Sequence, residues 1–224
     1  MRNAIKIDDT TVVTIDNSGC IGEKELDFVH ASNELTAYYT ARVAILEQWC
    51  AGAVPTNIIL SNLTGNQAWA DYEKGIQIAF DEIDLAMPAI NGSSESNFDS
   101  LQSGISLMII GKLQFEMTKE NLHWFVVGKP LVGQEVIHES QHIAKLGEIN
   151  KLFRLKIANQ IWPVGSKGIL AELEGIFPGH KFECSLDLHK SSGPATSVIV
   201  GVQKENINEF KKQVTTCYEQ IVIC

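Results

Sequence analysis

The sequence predicts an α+β protein built of two units of similar size, and three observations carry that expectation. Runs of β-branched and apolar residues alternate with amphipathic helical stretches through the first half. A charged stretch without regular period, "FEMTKENLH" at 115–123, marks a junction, so residues 1–120 and 121–224 are expected as separate domains. No internal repeat, low-complexity tract or long linker interrupts either half.

In chain order, "AIKIDDTTVVTID" predicts two short strands around a polar turn, with Val12, Val13 and Ile15 as β-branched members. Asp16 is expected to end the second strand and open an acidic loop, "DNSGCIGEKELD". Residues 32–51 have helical period and open on Ser32 as a cap, and Gly52 and Pro55 stop them. "TNIILSNL" reads as a strand, "NQAWADYEKGIQIAFDEIDL" as a second helix, "NGSSESNFDS" as a polar loop and "GISLMIIGKL" as an apolar strand. In the second half "WFVVG" predicts a strand, "EINKLFRLKIANQI" a helix and residues 167–177 another. Strand-like "KFECSLDL", strand "TSVIVGV" and helix "NINEFKKQVTTCYEQI" complete the chain.

The bulk numbers exclude several function classes. A net charge of −9 argues against general nucleic-acid binding, which needs a basic surface to neutralise phosphates. No apolar run reaches the length of a bilayer span, so no membrane association is expected. The opening "MRNAIKIDD" has no signal-peptide core, and the five scattered cysteines form no CxxC pair. A cytoplasmic protein is the expectation.

Three carboxylates ask for a chemical reason. Glu47 is the only formally charged residue between Val43 and Ala70, and its helix neighbours Val43, Ala44, Cys50 and Ala51 are small or apolar. It is either a solvated break in an apolar face or a buried carboxylate with a cation or donors as partner. Asp16 stands at a strand end, where α/β proteins place ligand groups, or merely makes an Asx-turn. Glu95 lies in "GSSESN", where Gly92, Ser93, Ser94 and Ser96 offer donors to an anion; otherwise it is a solvated loop residue. A divalent ion held by oxygen ligands would account for all three.

Two other features are weighed against simpler readings. "EVIHESQHIAK" holds His138, Glu139 and His142 in H-E-x-x-H spacing, the zinc-hydrolase pattern when it lies on one helix. Ser140 and Glu135 occupy positions that such helices fill with apolar or small residues, so the match is expected to be coincidental. Trp124 beside Phe125 and Val126 is expected in the core, and Asn66 is expected to cap the second helix.

The stretches "TIDNSGCIGEK", "EQWCAGAVP" and "GSSES" resemble, in order, the amino-terminal signatures of the aminoimidazole ribonucleotide synthetase-like superfamily, which includes thiamine monophosphate kinase and selenophosphate synthetase. Glu47 stands five positions before Gly52, with Ala53 and Pro55 following as that pattern requires. The resemblance implies a two-domain fold whose amino-terminal sheets pair in a homodimer barrel, and a shortened carboxy-terminal domain. It implies ATP and Mg²⁺ as cofactors, with Asp16, Glu47 and Glu95 as metal ligands and catalytic carboxylates. Asn17, Gly19, Gly22, Lys24, Ser93, Ser94 and Asn97 fall on the nucleotide-binding positions. "PVGSKGILAEL" resembles a later helix entry of the family, with Pro163 standing where the family has aspartate.

"DNSGCIGEKELD", "GSSESNF" and "LQSGISLMIIGK" look most like the α-ribazole kinase branch, which phosphorylates the lower-ligand nucleoside of cobamides during salvage. The resemblance therefore implies an ATP-dependent kinase acting on a nucleoside-like small molecule. The rival readings are a nucleotide-binding module of the same fold without turnover, and a kinase or synthetase with another nucleoside or thiamine-like acceptor.

Overall fold

The computed structural model describes residues 2–224, which divide into two compact units, the first running to Glu116 and the second Met117–Cys224. The first unit opens with β1 (Ile5–Lys6) and β2 (Thr11–Gly19), followed by the short parallel pair β3 (Ile21–Gly22) and β4 (Val29–His30). Helix α1 (Asn33–Cys50) follows, capped by Ser32, whose hydroxyl accepts from the Leu35 amide. Then come β5 (Ala53–Asn62), α2 (Trp69–Glu82), β6 (Ile90–Ser94) and β7 (Gly104–Leu113).

The main sheet runs β1-β2-β7-β5-β6, antiparallel except where β6 lies parallel to β5. Helix α1 packs on β2, β7 and β5, and α2 packs on α1. Alternation along the strands sends Val12, Thr14, Ile58, Leu60, Ile105, Leu107 and Ile109 under the helix. Gly75 lets the two helices approach: a Cβ there would stand 2.0 Å from the Glu34 carbonyl oxygen. Register aligns Ile15, Met108 and Ile59 on the opposite face, next to Ile5, Val13 and Ile110. That face is open: Ile5 is 61 %, Ile15 50 % and Ile59 39 % exposed.

The second unit contains β8 (Leu122–Val127), α3 (Glu135–His138), α4 (Leu146–Arg154), β9 (Ala158–Pro163), α5 (Gly168–Ile176), β10 (Phe182–Glu183), β11 (Val198–Gln203), α6 (Ile207–Gln213) and β12 (Tyr218–Ile223). Its antiparallel sheet runs β10-β12-β8-β11-β9. Trp124 is core, meeting Phe177 edge-to-face at 5.1 Å, and Phe125 stacks on Phe210 at 4.6 Å.

Several expectations are corrected. Strand β2 does not stop at Asp16 but continues to Gly19, because β7 offers backbone partners down to Gly104. The loop expected at 91–100 begins as strand β6, drawn in by pairing with Ile58–Asn62. The helix expected to reach Ile161 ends at Arg154: Lys156 takes a left-handed φ of 53°, and "ANQIWP" becomes β9. The last helix likewise ends at Gln213, where Thr215 and Thr216 turn instead to the Glu148 carboxylate and residues 218–223 pair with β8. Only Phe182–Glu183 of "KFECSLDL" is strand. Asn66 lies within a 3₁₀ turn, Asn66–Ala68, that leads into α2 and has no side-chain cap.

Candidate functional site

Asp16 is set by the alternation of β2. Thr14 and Ser18, two positions either side, both reach α1: Thr14 Oγ1 donates to the Ala44 carbonyl at 2.9 Å, and Ser18 Oγ lies 3.0 Å from Thr40 Oγ1. Asp16 shares their side of the strand and is directed at the helix. Burial, with a smaller push from the Glu47 charge, raises its pKa to about 7, against the opposing effects of the Asn17 amide and Arg2.

Glu47 occupies the matching stretch of α1, and its surroundings choose between the two sequence readings. It is not a solvated break: it is fully buried. Residues preceding β1 wrap its carboxylate. Oε1 accepts from Arg2 Nη1, an ion pair, and from Asn3 Nδ2 at 3.1 Å, while Oε2 accepts from the Asn3 amide at 3.3 Å. One turn on, burial and the Glu47 charge push the Cys50 thiol up to about 12, so it stays protonated. Arg2 and Asn3 carried no motif, and nothing local announced them as partners of a residue so distant in sequence.

Lys24, expected to reach phosphate, is committed elsewhere. Its Nζ donates to the Ser100 carbonyl at 2.5 Å and to Ser100 Oγ at 2.7 Å. It belongs to a lacing between the loop after β2 and the loop before β7. Asp27 is the centre of that lacing: Oδ1 accepts from the Ser103 amide at 2.7 Å, and Oδ2 from Ser103 Oγ at 2.7 Å and the Lys24 amide at 2.9 Å. Burial opposes ionisation of Asp27, but the Ser103 hydrogen bonds outweigh it and hold the carboxyl below its usual range. Gly22 is required by this contact, since a Cβ there would stand 2.3 Å from Ser103 Oγ. Gly19, by contrast, has open space at its Cβ position, and Asn17 is exposed on the face away from α1. Asp27 and Ser103 are structural residues that motif reading missed; the only local signal was the Lys24-x-x-Asp27 turn.

The third motif lies at the end of β6. Gly92, Ser93 and Ser94 are strand residues opposite Leu60, Ser61 and Asn62. Asn62 organises the end of this strand pair: its Nδ2 donates to Ser94 Oγ at 3.0 Å, and its carbonyl accepts the Glu95 amide at 2.8 Å. Glu95 Oε1 accepts the Asn97 amide at 2.7 Å, which lowers its pKa.

Asp16 thus lies within reach of the Glu47 charge, and Glu95 accepts an amide of its own loop. Among the described residues no group of three or more His, Cys, Asp or Glu side chains is arranged to hold a metal ion. The donor set still fits Mg²⁺, which takes one or two carboxylates and completes its shell with water and substrate phosphate oxygens. Asp16 and Glu47 supply two such groups.

The histidine pair has no zinc-hydrolase geometry. Helix α3 ends at His138; Glu139 breaks it with φ −117° and ψ 28°, and His142 closes a separate 3₁₀ turn. The two imidazoles do not share a helix face.

No protein-family model and no curated protein sequence matches the chain. Solved structures do. The chain is similar to thiamine monophosphate kinase from Aquifex aeolicus, with TM-score 0.66 and 13 % identity over 99 % of this chain and 88 % of that one. A complex of AaThiL with AMPPCP and TMP matches with TM-score 0.65 and 14 % identity, over 97 % of this chain and 82 % of the other. Hydrogenase maturation protein HypE matches with TM-score 0.62 and 9 % identity, over 95 % and 78 %. At these identities the common property is the fold alone, a mixed α+β architecture.

Proposed function

We propose that this chain is an ATP-dependent kinase of a small hydroxylated molecule, with α-ribazole as the foremost acceptor and α-ribazole 5'-phosphate as product. One observation carries the reading: Asp16 and Glu47, from two separate motifs, lie within reach of each other's charge between β2 and α1. The shared fold with a thiamine monophosphate kinase, and with a complex holding AMPPCP, supports it.

Asp16 and Glu47, with Glu95 from the neighbouring loop, would hold Mg²⁺; when bound, the ion supplies charge neutralisation for the triphosphate. Asn17, Gly19, Gly22, Ser93, Ser94 and Asn97 would surround the nucleotide. Lys24 contributes by fixing the loops rather than by touching phosphate, because Ser100 already takes its ammonium. In the transfer the acceptor hydroxyl oxygen attacks the γ-phosphorus. The bond to the bridging oxygen breaks, ADP leaves with that electron pair, and the acceptor proton passes to solvent. The chain's part is positioning and fixed electrostatics, without a covalent enzyme intermediate.

A homodimer is part of the proposal: the open face of Ile5, Ile15 and Ile59 is the surface a second copy would cover. So is a cytoplasmic setting, since Cys20, Cys50, Cys184, Cys217 and Cys224 are all free thiols. Among the described residues no helix is long and apolar enough to cross a membrane.

The test is coupled ADP release with α-ribazole, thiamine monophosphate and common nucleosides as acceptors. Turnover on α-ribazole should fall by about a hundredfold or more in Glu47→Gln and in Glu95→Gln, the scale of losing one preorganised electrostatic group. Turnover unchanged in both variants removes the site.

A further inference from the structure

A cation already sits on Glu47. Among the described contacts the carboxylate accepts hydrogen bonds from residues 2 and 3, and the one from Arg2 is an ion pair. The Glu47 side chain is 1 % exposed, whereas that of Arg2 is 17 % exposed. A buried carboxylate needs both a counter-charge and donors, and this short segment supplies both. An ionised carboxylate only accepts, through two oxygens, so a guanidinium and a metal ion seek the same lone pairs.

We infer that residues 2 and 3 are an internal plug: a divalent cation joins Asp16 and Glu47 only as Arg2 leaves Glu47, so metal loading and release of this segment are one event. The inference rests on the reading of Asp16 and Glu47 as metal ligands. Exchange of one cation for another never leaves Glu47 buried without a counter-charge. Arg2 has access to water and Glu47 does not, so Arg2 is the partner that moves. The segment leads into the sheet edge, where β1 pairs with β2 through Ile5 with Val13 and Lys6 with Val12. The plug would keep the Glu47 carboxylate neutralised until the metal, alone or with its nucleotide, displaces it.

The experiment uses the full chain with Mn²⁺ as probe and no nucleotide, reading bound Mn²⁺ by electron paramagnetic resonance and thermal midpoints with and without the ion. Arg2→Gln keeps donors and removes the competing charge. It should bind Mn²⁺ about tenfold to a hundredfold more tightly than wild type, the range of one charge-assisted hydrogen bond. Mn²⁺ should raise its midpoint more than that of wild type. Arg2→Lys, which keeps the charge, should stay near wild type. If Arg2→Gln unfolds without metal, refolding on addition of Mn²⁺ supports the plug equally. Equal or weaker binding by Arg2→Gln overturns the plug and leaves the metal reading intact. No binding to either folded protein removes both.

Discussion

Asp16, on β2, lies close enough to Glu47, on α1, for the Glu47 charge to hinder its own ionisation. Two acidic groups from separate elements thus share one interior, where burial makes a second negative charge expensive. Wherever such a pair is not discharged by a cation, one member holds its proton to unusually high pH.

That relationship has a pH signature. Asp16 keeps its proton in the folded chain to about pH 7, whereas the unfolded chain releases it near 3.8. Between those values the unfolded state binds fewer protons, so this group's contribution to stability falls as pH rises through the window and stays low above it. Asp16→Asn removes the titration. The variant should gain stability over wild type at pH 8 by more than at pH 4, as read from urea midpoints at the two pH values. An equal difference at both would show that Asp16 titrates normally.

The Asp27 lacing predicts the opposite sign. Its folded pKa is depressed, so its stabilisation is present above the unfolded carboxylate range and is lost as acid protonates the folded form. In Asp27→Asn an amide NH₂ must replace one oxygen, and either orientation sets it against a backbone donor: the Lys24 amide or the Ser103 amide. The expected loss is about 1–3 kcal/mol at neutral pH, shrinking in acid, where wild-type Asp27 is itself protonated. Denaturant titrations of both proteins in the two conditions check it.

The open face of the first sheet carries the dimer prediction. Ile15 and Ile59 flank Met108 across β2, β7 and β5. A lysine at either site keeps the strand but places charge in a face meant to be dry. Sedimentation of the wild type should give a dimer, and Ile15→Lys or Ile59→Lys should shift it to monomer with an unchanged far-ultraviolet spectrum. A wild type that sediments as a monomer at micromolar concentration rejects the homodimer.

Much of this arrangement was legible in the residues because its signals are local. The Ser32 cap, the helical period through Cys50 and the apolar alternation of 104–113 each follow from neighbours a few positions apart. The Glu47-to-Gly52 spacing marked the right helix end. What local signals misjudged are segments whose state depends on distant partners. Residues 218–221 continue a helical pattern, yet β8 captures them as strand, because a paired edge satisfies more backbone groups than a frayed helix end.

The site divides in the same way. The sequence by itself singled out Asp16, Glu47 and Glu95 and placed two of them on their elements, since motif spacing is a property of the chain alone. Tertiary structure decided their chemical state: that Glu47 is buried and wrapped by Arg2 and Asn3, that Asp16 lies inside a strand and resists ionisation, that Lys24 is spent on Ser100, and that Glu95 accepts the Asn97 amide. The reason is physical. Ionisation depends on solvent exclusion and on charges within a few ångströms, and folding brings those together from positions that no short stretch of sequence connects.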